Sequence, residues 1–307
     1  MANKTTLAQL KLGFGMLYVV QLSDGRFVIV DGGVKCEAHK QVLLDYLEKK
    51  KIGVRPVVAC WMFTHLDGDH VDNAFDILAT HHENLEVQSF CLSIPSLDDF
   101  SFTEGESDDY HSYKEIAVRT QITRLEAFEA AKRYYPNAEI WTPHSGEHRR
   151  IADLDIHMLI TAEERLPANV LSHNSRCLAF KFTFDSGHSC MITGDNDRSL
   201  RWKFIYEQYP AEILKSDVLQ TMHHGLCGYL ELHQAIDPAI CFWPTSAARF
   251  LGYESDQNGT PSAMSKQMRS HPFNAWLLDD EVRTRTHYHG EQSVEIDMSD
   301  LSVMLID

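Results

Sequence analysis

The chain has 307 residues, 44% of them apolar and 23% charged, enough to bury a sizeable core in one large domain or two small ones. Its formal charge of −16, from 28 basic and 44 acidic residues, repels long polyanions and argues against a nucleic-acid scaffold. No apolar run reaches the roughly 18 residues that a membrane span needs, and the opening MANKTTLAQLKLGFGML lacks the hydrophobic segment and cleavage site of a secretion signal.

The cysteines at 36, 60, 91, 177, 190, 227 and 241 are odd in number, scattered and without a CxxC pair. Free thiols in a reducing cytoplasm are expected, not disulfides or a cysteine zinc site. Seventeen histidines is a high count, and histidine is the commonest metal ligand.

Short strands open the chain. Residues 14–22 (FGMLYVVQL) and 27–31 (FVIVD) flank Ser23-Asp24-Gly25, the signal of a hairpin turn. After Asp31-Gly32-Gly33, a helix is expected with Val42, Leu43, Tyr46 and Leu47 on one face. Residues 57–63 (VVACWMF) are apolar at every position, as in a strand covered on both faces. That strand empties into His65-Leu66-Asp67-Gly68-Asp69-His70, and residues 71–78 start the next helix. The carboxyl ends of strands are where α/β folds place their sites.

Residues 87–95 (VQSFCLSIP) read as another strand, followed by a surface loop with six carboxylates between Asp98 and Asp109 and no base. A helix is predicted from about 114 to 135, with Val118, Ile122, Leu125 and Phe128 along one stripe. Strands are predicted at 139–143, 154–160, 177–184 and 189–193, the last two joined by Asp185-Ser186-Gly187. Further strands follow at 218–222, 239–243 and 294–298, with an exposed loop at 255–261 (SDQNGTP). With no internal repeat or clear linker, a single mixed α/β domain over 1–307 is the simplest organisation.

Four stretches gather metal-binding side chains. In 65–70, alternate residues of an extended segment point the same way, so His65 and Asp67 can share one ion while Asp69 and His70 turn toward a second. The competing reading is a solvated loop whose aspartate caps the following helix. His173 stands in NVLSHNSRC (169–177), where a surface histidine is an equal alternative. Asp195 ends MITGD, where it either caps a turn or bridges two cations. His223-His224-Gly225 ends DVLQTMHHG. Adjacent histidines point to opposite sides, so one of the two is expected to ligate a given centre.

HLDGDH, then TGD, then HHG, each at a strand end and in this order, resembles the metallo-β-lactamase fold. GFGMLYVVQLSDGRFVIVDGG is similar to that family's first hairpin, and RTRTHYHGEQSVEID to its closing hairpin. The HxDxDH pattern is similar to the hydrolase domain of ComEC-type DNA-uptake proteins, in which Asn and Ser precede TGD as His173-Asn174-Ser175 does here. The resemblance covers nearly the whole chain and is weakest at about 96–135, read as a variable acidic loop and helix insertion. It implies a four-layer αββα sandwich with two mixed β-sheets flanked by helices.

It also implies two divalent metal ions. His65, Asp67 and His173 would surround the first, and Asp69, His70 and His224 the second, with Asp195 bridging. His223 is the alternative to His224, and Asp31 would orient the histidine loop. Asp67 replaces the family's commoner histidine, so manganese or iron competes with zinc, the first expectation. Hydroxide activated by the metals would be the nucleophile, with Asp69 orienting it or accepting its proton. The expected substrate is a small phosphodiester. A lactone, thioester or amide, a ComEC-like nuclease activity, and a non-catalytic metal-dependent sensor are the alternatives. Neither long nucleic acid nor a membrane is an expected partner.

Overall fold

The computed structural model describes residues 3–93, 108–161, 174, 177–196, 199–251, 271–279, 281 and 283–306. Within them two β-sheets lie face to face. In the first, β1 (Thr6–Gln9), β2 (Leu17–Gln21) and β3 (Phe27–Asp31) run as an antiparallel meander. β4 (Val57–Met62) adds parallel to β3 and carries the short β5 (Glu86–Val87) alongside β6 (Ser89–Cys91). β7 (Glu139–Trp141) closes that side, and β15 (Val294–Asp297) with β16 (Val303–Leu305) extends the other beyond β1. The second sheet contains β8 (His148–Ile151), β9 (Leu154–Ile160), β10 (Ala179–Phe184) and β11 (Ser189–Ile192), all antiparallel. It continues in parallel through β12 (Val218–Gln220), β13 (Ile240–Trp243) and β14 (Thr286–His289).

The apolar strands are covered on both faces, which explains their unbroken hydrophobicity. In β2, Tyr18 and Val20 enter the core between the sheets, with Phe180, Phe182 and Phe242 opposite. Leu17 and Val19 turn outward. Three helices cover them: α1 (Glu37–Lys50), α2 (Gly68–Thr80) and α3 (Asp108–Lys132), contributing Leu47, Ile77 and Phe128 among others. On the second sheet lie α4 (Ser199–Gln208), α5 (Ala211–Leu214), α6 (Leu230–Ile236), α7 (Ala247–Leu251) and α8 (Pro272–Leu277). Trp202, Leu214, Leu232, Phe250 and Leu277 fill that outer core. The layers are therefore helices, sheet, sheet, helices. All seven cysteines are free thiols, and no helix among the described residues is long and apolar enough to cross a membrane.

Several boundaries differ from the sequence reading. β2 starts at Leu17 and not at 14, because Gly13 and Gly15 take φ of 73° and 105° and interrupt the strand. A Cβ at Gly15 would lie 2.6 Å from the Asp69 carbonyl oxygen, so the loop needs glycine to approach α2. That helix begins at Gly68, not 71, which makes Asp69 and His70 part of its first turn. The predicted 87–95 strand breaks into β5 and β6, and α3 starts at Asp108, six residues before the reading. The tail is not a hairpin: β14 joins β13 in the second sheet, whereas β15 pairs with β1 in the first. The chain crosses between sheets at Gly290, whose carbonyl accepts from the amides of Leu12 and Gly13. The loop at 255–261 and most of the acidic stretch (98–107) lie outside the described residues.

A buried histidine makes this fold acid-sensitive. His233 on α6 donates from Nδ1 to the Tyr229 carbonyl oxygen (2.9 Å) and stacks on Phe273, with ring centroids 5.6 Å apart. Burial pushes its pKa down to about 4. The unfolded chain takes up the proton near pH 6.5 and the folded chain does not. Stability from His233 is thus complete above about pH 6.5 and is lost as pH falls toward 4, by up to roughly 3 kcal/mol. Denaturant titrations at pH 7 and pH 4.5 should show His233→Phe less acid-labile than the native chain. Equal losses in the two proteins would contradict this.

Candidate metal centre

The site forms where β3 and β4 end beside each other. Asp31, fully buried at the end of β3, adopts φ of 59°. Its carboxylate accepts from the Thr64 amide (2.8 Å) and the Thr64 hydroxyl (2.7 Å), and its Oδ2 lies 2.7 Å from His70 Nδ1. Thr64 Oγ1 in turn sits 3.1 Å from His65 Nδ1. With the hydroxyl hydrogen committed to Asp31, Thr64 Oγ1 accepts from the imidazole. Both histidines are thereby tied at Nδ1 and present Nε2, as metal-binding imidazoles do. Gly32 and Gly33 amides donate to the His70 carbonyl at 2.6 and 3.1 Å, and Asn73 Nδ2 donates to the Gly32 carbonyl (2.8 Å). These bonds pin the first turn of α2 against the β3 end.

The opposite wall comes from the second sheet. Gln220, buried in β12, accepts on one oxygen from the amides of Thr193 and Gly194, both at 2.8 Å. This fixes the turn that delivers Asp195. His223 and His224 follow in a 3-10 turn, Met222–Gly225, with left-handed φ of 44° and 53°. His224 donates from Nδ1 to the Pro244 carbonyl (2.6 Å), which again leaves Nε2 for a ligand. The two walls are stitched by the Leu178 amide donating to the Thr64 carbonyl (2.8 Å).

Asp69, His70, Asp195 and His224 converge so that one ligand atom from each lies within 4.8 Å of the others. Asp195 Oδ2 is 2.8 Å from His224 Nε2 and 3.1 Å from His70 Nε2. Asp69 Oδ2 is 3.2 Å from His224 Nε2 and 4.0 Å from His70 Nε2. Despite these distances, His70 Nε2, His224 Nε2 and Asp195 Oδ1 are buried with no hydrogen-bond partner among the described residues. Atoms that crowd together without aiming at one another describe the edges of a coordination shell, where bonds of about 2.0–2.2 Å to a common ion separate donors by about 3 Å. The donor set therefore fits a divalent metal, and a buried imidazole left unpaired would otherwise be costly.

Without an ion the four groups pair their charges. Burial opposes ionisation of Asp195, yet His224 and His70 hold its carboxyl well below the usual range. Asp69 is lowered in the same way, against its own burial, by His224 and His70. Burial likewise opposes a charged His70, but Asp195 and Asp31 raise it well above its ordinary value. His224 is pushed up to about 9 by Asp195 and Asp69 despite its burial. Metal must displace these protons to bind.

The remaining expected residues lie around this cluster. His65 is buried, its Nε2 3.5 Å from Asp67 Oδ2 and without a hydrogen-bond partner among the described residues. Asp67 stands at the N-cap position of α2 but makes no capping hydrogen bond. His173 lies outside the described residues. Of the adjacent histidines, His224 enters the cluster, whereas His223 Nε2 is 3.8 Å from Asp195 Oδ2 and 3.3 Å from Asn174 Nδ2. Sequence reasoning missed Thr64, Gln220, Arg124 and Phe14. A glutamine in an otherwise apolar strand was a signal for Gln220. Nothing local marked Arg124, and Phe14, whose ring stacks on His224 at 4.5 Å, was taken as strand.

Asp31→Asn should weaken metal uptake roughly 10- to 100-fold, the usual cost of losing such an orienting partner. Asp195→Ala should cost more, and His223→Ala less, in calorimetric titrations with zinc, manganese and iron(II). Because His224 titrates at about 9, affinity should rise with pH up to that value. At pH 7, binding should release at least one proton, seen as a dependence of the heat on buffer ionisation enthalpy. No proton release would remove the imidazolium–carboxylate description.

No protein-family model matches the sequence, and no curated protein matches it. Among solved structures 172 chains match. A variant of the CmlA β-hydroxylase aligns with a TM-score of 0.51 and 11% identity over all of this chain and 55% of that one. The metallo-β-lactamase fold protein YhfI from Bacillus subtilis aligns at 0.45 with 10% identity, covering 92% and 95%. A diphosphatase of the PhnP family aligns at 0.43 with 10% identity, covering 83% and 93%. At such identities likeness concerns architecture alone. Two mixed sheets packed face to face, with helices on both outer surfaces, form the four-layer αββα arrangement that the sequence resemblance implies.

Proposed function

We infer that the protein is a metal-dependent hydrolase acting on a small phosphodiester. The observation that carries the hydrolase reading is the convergence of Asp69, His70, Asp195 and His224 within 4.8 Å, with two buried imidazole nitrogens and a carboxylate oxygen that have no hydrogen-bond partner among the described residues. His65 and Asp67 offer a second position beside them. When bound, one or two divalent ions would lower the pKa of water and offset negative charge developing on the substrate.

The chain's own groups divide the remaining work. Asp31 and Pro244 hold the Nδ1 sides of His70 and His224, so both rings keep one orientation throughout turnover. Asp195 lies within reach of both rings with Oδ2, and its Oδ1 has no hydrogen-bond partner among the described residues, so it would be one of the residues that hold an ion. Asp69 has the most exposed side chain of the four at 22%, which places it to accept a hydrogen bond from an entering water. In hydrolysis the water oxygen bonds to phosphorus, the bond to the leaving oxygen breaks, and the water proton ends on the leaving group. Arg249 lies 4.1 Å over the Phe14 ring, which stacks on His224, so a cation and an aromatic wall border the site, consistent with an anionic ester.

The net charge of −16 disfavours long DNA, whose binding draws on many lysine and arginine contacts. Zinc is the first choice of metal, and the hard oxygen of Asp67 keeps manganese and iron in competition.

Metal-loaded protein should cleave bis-(p-nitrophenyl) phosphate or a short or cyclic nucleotide faster than duplex DNA, and a chelator should abolish turnover. Rapid duplex cleavage with negligible small-diester activity would return the reading to a ComEC-like nuclease. Turnover of only lactones, thioesters or amides would reassign the substrate. Metal uptake with no turnover across the screen would favour a sensor. In the same assays Asp67→His should shift preference toward zinc, because an imidazole nitrogen replaces an anionic oxygen.

A further inference from the structure

We propose that Arg124, supplied by the helix inserted between β6 and β7, is the positioning residue for the first metal position at His65 and Asp67; this rests on the metal-centre reading above. Arg124 reaches out of α3 to the turn that joins β4 to α2. Its Nη1 donates to the Leu66 carbonyl (2.9 Å) and lies 3.6 Å from Asp67 Oδ1, while Nε donates to Asp72 Oδ1 (2.9 Å). The guanidinium also packs over Gly68, where a Cβ would fall 2.5 Å from Nη2 and 2.6 Å from Asp72 Oδ2. One side chain thus touches residues 66, 67, 68 and 72, the turn that separates His65 from His70.

The consequence for Asp67 is a division of its two oxygens. Oδ1 faces Arg124, and Oδ2 faces His65 Nε2 at 3.5 Å. An aspartate at a helix N-cap ordinarily accepts from the first-turn amides, but this carboxylate makes no such bond. His65 supplies the independent sign of a ligand. Its side chain is only 2% exposed, its Nδ1 is occupied by Thr64, and its Nε2 has no hydrogen-bond partner among the described residues.

A guanidinium near a cation site would repel the ion unless its charge were balanced. Asp72 does that, at 2.9 Å against 3.6 Å for Asp67. The Arg124–Asp72 pair is close to neutral, and Arg124 fixes the orientation of Asp67 through the contact to Oδ1. Arginine suits this task because its planar fork can reach a carbonyl and two carboxylates at once, which a lysine ammonium cannot do.

The test is a cobalt(II) titration of the full metal-free chain, followed by visible absorption and calorimetry, with folding verified by circular dichroism. The native protein should take up two ions. Arg124→Met should weaken one of them roughly 10- to 100-fold and leave the other unchanged. Arg124→Lys, which restores charge but not the fork, should remain weakened. Gly68→Ala, whose methyl pushes the guanidinium away, should reproduce the selective loss and provides the test if Arg124→Met does not fold. Two unchanged affinities in the variants would overturn the proposal, as would a native chain that takes one ion with the same affinity in every variant. A gain of an ion in Arg124→Met would overturn it by showing that Arg124 blocks the position. No uptake by the native chain would instead sink the metal-centre reading itself.

Discussion

The carboxylate of Asp31 is the interaction on which the centre depends. It is fully buried and spends its acceptor capacity on the Thr64 amide, the Thr64 hydroxyl and His70 Nδ1. A buried carboxylate is tolerated only when so engaged. Through Thr64 it also sets His65, so one anion at the end of β3 fixes two imidazoles on the neighbouring strand end. The left-handed backbone at Asp31 is the strain that lets its side chain turn back across the top of β4. Trp61 adds a second restraint by donating from its indole to the Asp31 carbonyl (2.9 Å).

The centre is completed only because two sheets meet there. His70 and Asp69 ride on α2 above the first sheet, and Asp195 and His224 hang from the second. Their separation of about 3 Å is therefore a property of sheet packing. The aromatic core of Tyr18, Phe180, Phe182 and Phe242 between the sheets sets that spacing, and close-packed interiors resist changes of even one methylene. The cost of holding two carboxylates and two imidazoles together is met by their mutual charge pairing, which a bound cation would replace. A divalent cation held there would also offset part of a net charge of −16.

Local pattern carried much of this. Strands covered on both faces are apolar throughout, so β2, β3 and β4 were visible, and so were the polar clusters at their ends. The aspartate, glycine and histidine types at 65–70, 194–195 and 223–225 are what pointed to a candidate metal centre, since few other tasks gather them. For the pair at 223 and 224 the sequence offered only the neighbouring glycine as a guide, and the left-handed φ of 44° and 53° falls on the histidines themselves.

What the sequence by itself determined was therefore the class of elements, the strand-end position of the candidate ligands and the chemistry those residue types allow. Tertiary structure alone decided which sheet each strand joined. The tail after Arg283 reads as one hairpin but splits between sheets at Gly290, because strand pairing is a long-range choice that no local periodicity encodes. The same holds for Gln220, whose side chain braces a turn 26 residues away, and for Arg124, which reaches Asp72 across 52 residues of chain. Both act through contacts between segments remote in sequence, and such contacts exist only once the chain has packed.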